Sequence, residues 1–455
     1  MKTDSINTPV KGPVKTPVEY NIVKQKITES KLPSIGKASI REIRSLINKI
    51  EKQTGFKYIR MEMGVPGLPA STIGMEAEKA AIKNGVTNVY PSIEGIPELK
   101  REASRFAKLF MDVTIPEYCC IPCAGSTSGS FISFLVTARA EASKDYILFL
   151  DPGFPVHKQQ LNVLGFKQKS LDVYDFRGDK LKNKLESVLS EGNVSTILFS
   201  NPNNPSWICF TDKELKIIGE LCNKYNVICI EDLAYFKMDF RMKYSAPGEP
   251  PFQPSVSKYT ENYILLISSS KIFSYAGERI GTIMVSEKLF NSEFEGLLRN
   301  YTSKSFGHSI IYGAAYAVSA GVAHSTQYAL AAMLKAVNDG EYDFVSVAKE
   351  YGRRAKIIKK IFTENGFSLV YDRDDGIPIA DGFYFTVSYP GFTGVELVEE
   401  LLYYGISAIS LANTGSTRKE GIRACVSMIS EEQIPDLEKR LKSFDDNHKS
   451  EKIYS

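Results

Sequence analysis

Apolar positions along this chain recur with two different periods, and the periods alternate. Ile40, Ile43, Leu46 and Ile47 fall at helical spacing within residues 39–54. Residues 58–63 read as a strand, stopped by Gly64-Val65-Pro66-Gly67-Leu68-Pro69. Helices are predicted over 75–84 and 98–110. From 119 to 286 the pattern changes to short apolar-rich runs, at 119–124, 146–150, 195–199, 227–231 and 263–267, separated by helical stretches such as 212–225. Short apolar-rich runs without a polar-outward alternation belong to strands covered on both faces, so this region predicts an α/β parallel sheet with helices on either side. Beyond it, 310–336 and 343–365 predict long helices, 380–388 a strand, 395–404 a helix and 422–426 a strand, together a second lobe.

Polar residues cluster where these strands end. The run Tyr263-Ile264-Leu265-Leu266-Ile267 leads directly into Ser268-Ser269-Ser270-Lys271, and Arg279 follows eight residues after the lysine. A lysine leaving a buried strand is costly unless its amine has a partner or a task. An imine to an aldehyde cofactor is one such task, with the serines and Arg279 on the cofactor's phosphate; a solvated loop lysine is the other reading. The strand at 119–124 runs into Gly125-Ser126-Thr127 and a helix start, an arrangement whose converging N–H groups suit an anion. Phe154 stands at the exit of 146–150, as a lid aromatic or as a plate for a flat ring. Asn201-Pro202-Asn203-Asn204-Pro205 closes 195–199 with two Asn-Pro steps. The strand 227–231 delivers Asp232, which alone reads as a helix cap, and then Tyr235. In open α/β sheets ligands sit at the carboxyl ends of the strands, and all of these residues fall there. Arg423 lies among apolar neighbours in 422–426 and needs an anion, either a core carboxylate or a substrate carboxylate.

Composition removes several alternatives. Charge is nearly balanced, at a net +3, with acids and bases interspersed, which predicts neither a nucleic-acid nor an anionic-membrane partner. No stretch has the uninterrupted apolar length of a membrane span. The first 32 residues or so are polar, hold Pro9, Pro13 and Pro17, and lack an apolar signal core, so they predict a flexible arm and a cytoplasmic protein. Seven scattered cysteines argue for a reducing compartment. The Cys119-Cys120-x-x-Cys123 cluster has no second ligand pair at metal-site spacing, and no metal is expected.

The Asn-Pro-x-x-Pro turn, the Asp-x-Ala-Tyr strand end at Asp232 and Tyr235, and the Ser-x-Ser-Lys at Lys271 followed by Arg279 occur in that order. Together they resemble the fold-type I pyridoxal-phosphate enzymes, specifically class I/II aminotransferases, over about residues 56–442. The resemblance implies a large domain with a mostly parallel seven-stranded sheet flanked by helices, plus a smaller α+β domain. It places a flexible arm at 1–35, the small domain at 36–75 and 320–445, the large domain at 76–319 and a tail at 446–455. It implies that Lys271 holds pyridoxal 5'-phosphate as a Schiff base and shuttles the proton in a ping-pong amino transfer between an amino acid and a 2-oxo acid. Asp232 would face the pyridine nitrogen, Asn204 and Tyr235 the ring's phenolic oxygen, and Phe154 the ring face. Gly125, Ser126, Thr127, Ser268, Ser270 and Arg279 would cradle the phosphate. Tyr90, five residues before Gly95, would reach the neighbouring subunit's phosphate, implying a homodimer with shared active sites. Arg423 would grip the substrate α-carboxylate, with Asn204 beside it and a backbone contact from Gly64.

Three positions depart from the family's pattern. Ser206-Trp207 replaces Thr-Gly after Asn204-Pro205, Phe154 stands where Tyr or Trp is frequent, and His157 stands where Tyr is frequent. They bear on the substrate; a dicarboxylate would need a second arginine, for which Arg299 is a candidate. A carbon–sulfur β-lyase on the same fold is the alternative activity. A cofactor-sensing transcription regulator would need an amino-terminal DNA-binding module, and the arm shows no helix-turn-helix pattern.

Overall fold

A computed structural model describes residues 16–449 except 245. Seven strands form the main sheet: β1 (Cys120–Cys123), β2 (Tyr146–Asp151), β3 (Lys167–Asp172), β4 (Val194–Ser200), β5 (Ile228–Asp232), β6 (Tyr263–Ser268) and β7 (Gly281–Val285). Their spatial order is β1-β7-β6-β5-β4-β2-β3, and β7 alone runs opposite to the other six. Side chains alternate along a strand, so Leu148, Ile197, Phe199 and Leu265 enter one core while Ile147, Leu198, Ile230 and Ile264 enter the other. Both faces are apolar because both are covered, the property the apolar-rich runs encode.

A four-stranded antiparallel sheet carries the second lobe, built from β8 (Ser368–Leu369), β9 (Tyr384–Ser388), β10 (Ile409–Ser410) and β11 (Ile422–Cys425) in the order β10-β11-β9-β8. Its core also takes Val18, Val23, Ile43, Ile47 and Ile59 from the start of the chain. The expected flexible arm is therefore corrected in part. Residues 1–15 lie outside the described residues, but α1 (Tyr20–Ser30) is a helix with Val23 buried and the Tyr20 ring stacked on Tyr403 at 4.6 Å. Its apolar stripe is too short to stand out from the polar sequence around it. The helix α2 (Ile40–Thr54) follows behind a capping box between Ser39 and Glu42. The expected strand over 58–63 reduces to Ile59–Arg60, paired with Ile406–Ser407. At the other end of the chain, residues 450–455 of the expected tail lie outside the described residues, and the last helix runs Ile434–His448.

The continuous helix expected over 310–336 is also corrected. A π-helical turn (Ser309–Ala315) and one further turn end at Ala320 in the left-handed region, φ 51°, followed by Gly321 at φ 123°. A new helix spans His324–Asn338. Apolar residues continue across the break, so periodicity does not register it. This second helix packs against the helices Thr72–Lys83 and Pro97–Met111 and joins the large core through Leu330, Met333 and Val337, not in the small lobe where the expected boundary at 320 places it. The following helix, Phe344–Glu364, bridges the two lobes: Phe344, Ala348 and Tyr351 join the large core, and Ala355, Ile358 and Phe362 the small one.

A short hairpin, Arg373–Asp374 against Ile377–Pro378, adds a polar clasp that no motif announced. Its buried Asp374 lies 2.8 Å from the Arg177 guanidinium and 2.8 Å from that of Arg241. Glu214 and Asp239 hold the same two arginines from their other sides.

Candidate active site

Strand β6 ends at Ser268, whose hydroxyl accepts from the Ser270 N–H at 3.2 Å and caps the single helical turn Ser269–Ile272. Lys271 sits in that turn and points back across the strand ends, where its amine donates to the Gly64 carbonyl. Burial pushes its pKa down to about 8, and the positive charges of Arg423 and Arg279 push the same way. The Nζ atom lies 5.4 Å from the centre of the Phe383 ring. Of the two sequence readings, the solvated loop lysine is thereby excluded.

Strand β5 ends at Asp232, only 5% exposed. Its Oδ1 accepts from the Ala234 N–H at 3.2 Å. Its Oδ2 faces His157 Nε2 at 3.8 Å, beyond hydrogen-bond reach. Burial pushes His157 down to about 3, so the ring is neutral and forms no ion pair. Burial likewise pushes Asp232 up to about 7, opposed by the Ala234 N–H, the Lys271 charge and the Ser126 hydroxyl. Among the described residues this buried carboxylate has no cation within ion-pair distance.

The start of the helix Ser126–Ala140 supplies the third element. Gly125 precedes it at φ 78°, and a Cβ built there would lie 2.6 Å from Arg279 Nη2. The Arg279 guanidinium is held over the helix start by the Ala276 carbonyl at 2.9 Å, with the Ser270 hydroxyl at 3.5 Å and the Ala124 carbonyl at 3.4 Å. Ser126 and Thr127 occupy the first turn, so helix N–H groups, two serine hydroxyls and a guanidinium converge. Phe154 caps the helix Pro155–Leu164, half-buried and edge-on to His157 at 5.4 Å.

From the small lobe, β11 brings Arg423, 1% exposed. It donates to Asn204 Oδ1 at 3.1 Å and to the Glu62 carbonyl, while its Nε has no partner among the described residues. No carboxylate lies within ion-pair distance of Arg423 among the described residues, which disposes of the core-carboxylate reading. Its guanidinium lies 4.4 Å above the ring of Tyr384 in β9. The Tyr384 hydroxyl is 2.6 Å from that of Tyr235. It also abuts Gly64, where an added Cβ would lie 1.8 Å from it. Trp207 replaces the family's glycine in a left-handed conformation, φ 65°; its buried indole sits edge-on to Tyr235 at 5.2 Å.

The fold thus brings together Lys271, Asp232, Tyr235, Asn204, Phe154, Arg423, Gly64 and the Gly125–Arg279 cradle. It does not bring Tyr90 to them: that side chain is 92% exposed on the outer surface. Sequence reasoning missed Tyr384 and Phe383, which lie in an ordinary strand pattern and reach the site only through the packing of the small lobe.

Residues 59–441 match the family model described as aminotransferase class I and II. A probable aspartate aminotransferase of Methanocaldococcus jannaschii is 25% identical over 58% of this chain, a stretch spanning 65% of that relative's own length. Among solved structures, a double mutant of Thermus thermophilus aspartate aminotransferase superposes with a TM-score of 0.71 at 17% identity, over 93% of this chain and 98% of that one. The alanine aminotransferase of Pyrococcus furiosus gives 0.73 at 20% identity, over 91% and 98%. With the family model matching residues 59–441 and the same fold over 93% of the chain, this protein belongs to the class I and II aminotransferases.

Proposed function

We propose that this protein moves an α-amino group from an amino acid to a 2-oxo acid, using pyridoxal 5'-phosphate held on Lys271. One observation carries the reading: a buried carboxylate and a buried guanidinium, Asp232 and Arg423, flank the amine of Lys271, and neither has a charged partner of its own within ion-pair distance among the described residues. Unneutralised buried charges are expensive, and a ligand with a cationic ring nitrogen and a carboxylate would satisfy both.

The residues fit that cofactor. Its phosphate would take the cradle of Gly125, Ser126, Thr127, Ser268, Ser270 and Arg279, where a side chain on Gly125 would collide with Arg279. When bound, pyridoxal phosphate supplies an electron sink for the charge developing at the substrate α carbon. The chain does the rest. Asp232, ionised once a cation faces it, would keep the ring nitrogen protonated. Tyr235 and Asn204 would hold the phenolic oxygen, and Phe154 would cover one ring face. Arg423 orients the substrate through its α-carboxylate. Lys271, with its pKa near neutrality, takes and returns a proton as general base and acid.

We further infer a homodimer. Tyr90, Val89, Tyr312 and Tyr316 form exposed apolar surface, and Tyr90 lies outside its own chain's site, as expected of a residue serving a neighbour. A cytoplasmic location is part of the same reading, supported by seven free, buried cysteines. Among the described residues no helix is long and apolar enough to cross a membrane.

The test is an absorbance spectrum of protein incubated with pyridoxal phosphate, before and after adding amino acids. A visible band lost with an amino acid and restored by a 2-oxo acid is expected, accompanied by quenching of Trp207, the sole tryptophan, on cofactor binding. Pyruvate and ammonia accumulating instead would point to β-elimination. Absence of any band would overturn the reading.

A further inference from the structure

The Tyr235 hydroxyl faces a second hydroxyl. Tyr384 reaches it from β9 of the other lobe, with the two oxygens 2.6 Å apart and both side chains buried. A phenol has one proton to give and lone pairs to receive. Between two such groups the direction of donation depends on what else each touches. On the functional reading above, upon which this inference rests, the Tyr235 proton goes to the cofactor's phenolic oxygen. The Tyr235 oxygen is then an acceptor, and Tyr384 is the hydroxyl placed to fill it.

We propose that Tyr384 is a positioning residue that donates to Tyr235, so that two phenols in series face the cofactor's ring oxygen. A donor that itself accepts a hydrogen bond is a stronger donor, and the gain is larger in a dry site. Stronger donation by Tyr235 favours the anionic ring oxygen and eases loss of the proton from the nitrogen that joins the cofactor to Lys271. The pair therefore sets the pH at which the loaded site becomes competent.

Tyr384 is held for this task from several sides. Its hydroxyl rests on Gly64, where even a methyl group would overlap it. The Arg423 guanidinium lies 4.4 Å over its ring, and the Trp207 ring is edge-on at 6.0 Å. The titratable and charged groups acting on both phenols are Arg423 and Cys425, both of β11. Arg423 favours the phenolate of each and Cys425 opposes it, while burial keeps both phenols protonated at neutral pH. Lys271 faces the pair across the Phe383 ring.

The experiment is a pH titration of the visible band in protein loaded with pyridoxal phosphate, for the wild type, Tyr384→Phe, Tyr235→Phe and the double variant. Tyr384→Phe is expected to raise the midpoint by about half a pH unit, the size of one modest hydrogen bond. Tyr235→Phe is expected to raise it further, and Tyr384→Phe to add nothing in that background, because it acts through the Tyr235 oxygen. An unchanged midpoint, or equal shifts in both backgrounds, overturns the inference. A purely structural role would lower the urea midpoint and leave the band's midpoint where it was. If Tyr384→Phe does not fold, Gly64→Ala, which pushes the same hydroxyl away, must give the upward shift. A wild type without a visible band would overturn the functional reading and this inference with it, whereas a band whose midpoint ignores Tyr384 overturns the inference alone.

Discussion

Replacing Arg423 by methionine should separate stability from activity. In the free protein Arg423 is a buried cation with two hydrogen bonds to neutral acceptors, Asn204 Oδ1 and the Glu62 carbonyl, and an Nε without a partner among the described residues. Two charge-assisted bonds contribute roughly 1.5–3 kcal/mol each. Against them stands a desolvation penalty of several kcal/mol for an ion with no counter-charge. The terms nearly cancel, and methionine fills much of the space over the Tyr384 ring. The expected change in unfolding free energy is within about 1.5 kcal/mol of zero. Activity should behave differently. A substrate carboxylate meeting this guanidinium forms a dry, bidentate pair whose disruption costs about 3–5 kcal/mol. That is a loss of roughly 10²- to 10⁴-fold in kcat/KM. Urea denaturation monitored by Trp207 fluorescence gives the first quantity, and single-turnover bleaching of the visible band by amino acids the second. Primary amines lacking a carboxylate should react no more slowly with the variant than with the wild type. A destabilisation above about 3 kcal/mol with amino-acid turnover intact would refute the reasoning, because Arg423 would then be a structural cation.

Other perturbations follow from the same geometry. Because the folded pKa of Lys271, about 8, lies below its unfolded value, the protonated amine weakens the fold at pH 7, and the penalty fades as pH rises from about 8 to 10.5. Lys271→Met without cofactor should therefore be more stable than the wild type at pH 7, by on the order of 2 kcal/mol, and the advantage should shrink in urea melts above pH 9. Gly64→Ala places a methyl group against the Tyr384 hydroxyl and should lower stability by about 1–3 kcal/mol in the same melts. Asp374→Ala deprives Arg177 and Arg241 of a shared buried partner and the Cys209 N–H of its acceptor, at 3.1 Å. Each arginine keeps one other carboxylate, so the loss should be about 3 kcal/mol by urea titration, not total unfolding.

Some of this protein was determined by the sequence alone. The apolar-rich runs that became β2, β4, β5 and β6 lack a polar-outward alternation because their strands are covered on both faces, and that property is local enough to read directly. Chemical residues placed immediately after such runs, among them Asp232 and Lys271, had to emerge at one edge of the sheet, since parallel strands all end on the same side. Other features depended on contacts between residues hundreds of positions apart. That Asp232 faces a neutral His157, and no cation within ion-pair distance among the described residues, follows from how the helix Pro155–Leu164 packs. The break at Ala320 is hidden because apolar residues continue through it, and the helix behind it joined the large core by packing alone. Tyr384 carries no local mark, since a tyrosine in a strand looks like any other core aromatic. Its hydroxyl meets Tyr235 only because the second lobe folds its sheet over the first, and no period or motif encodes that approach.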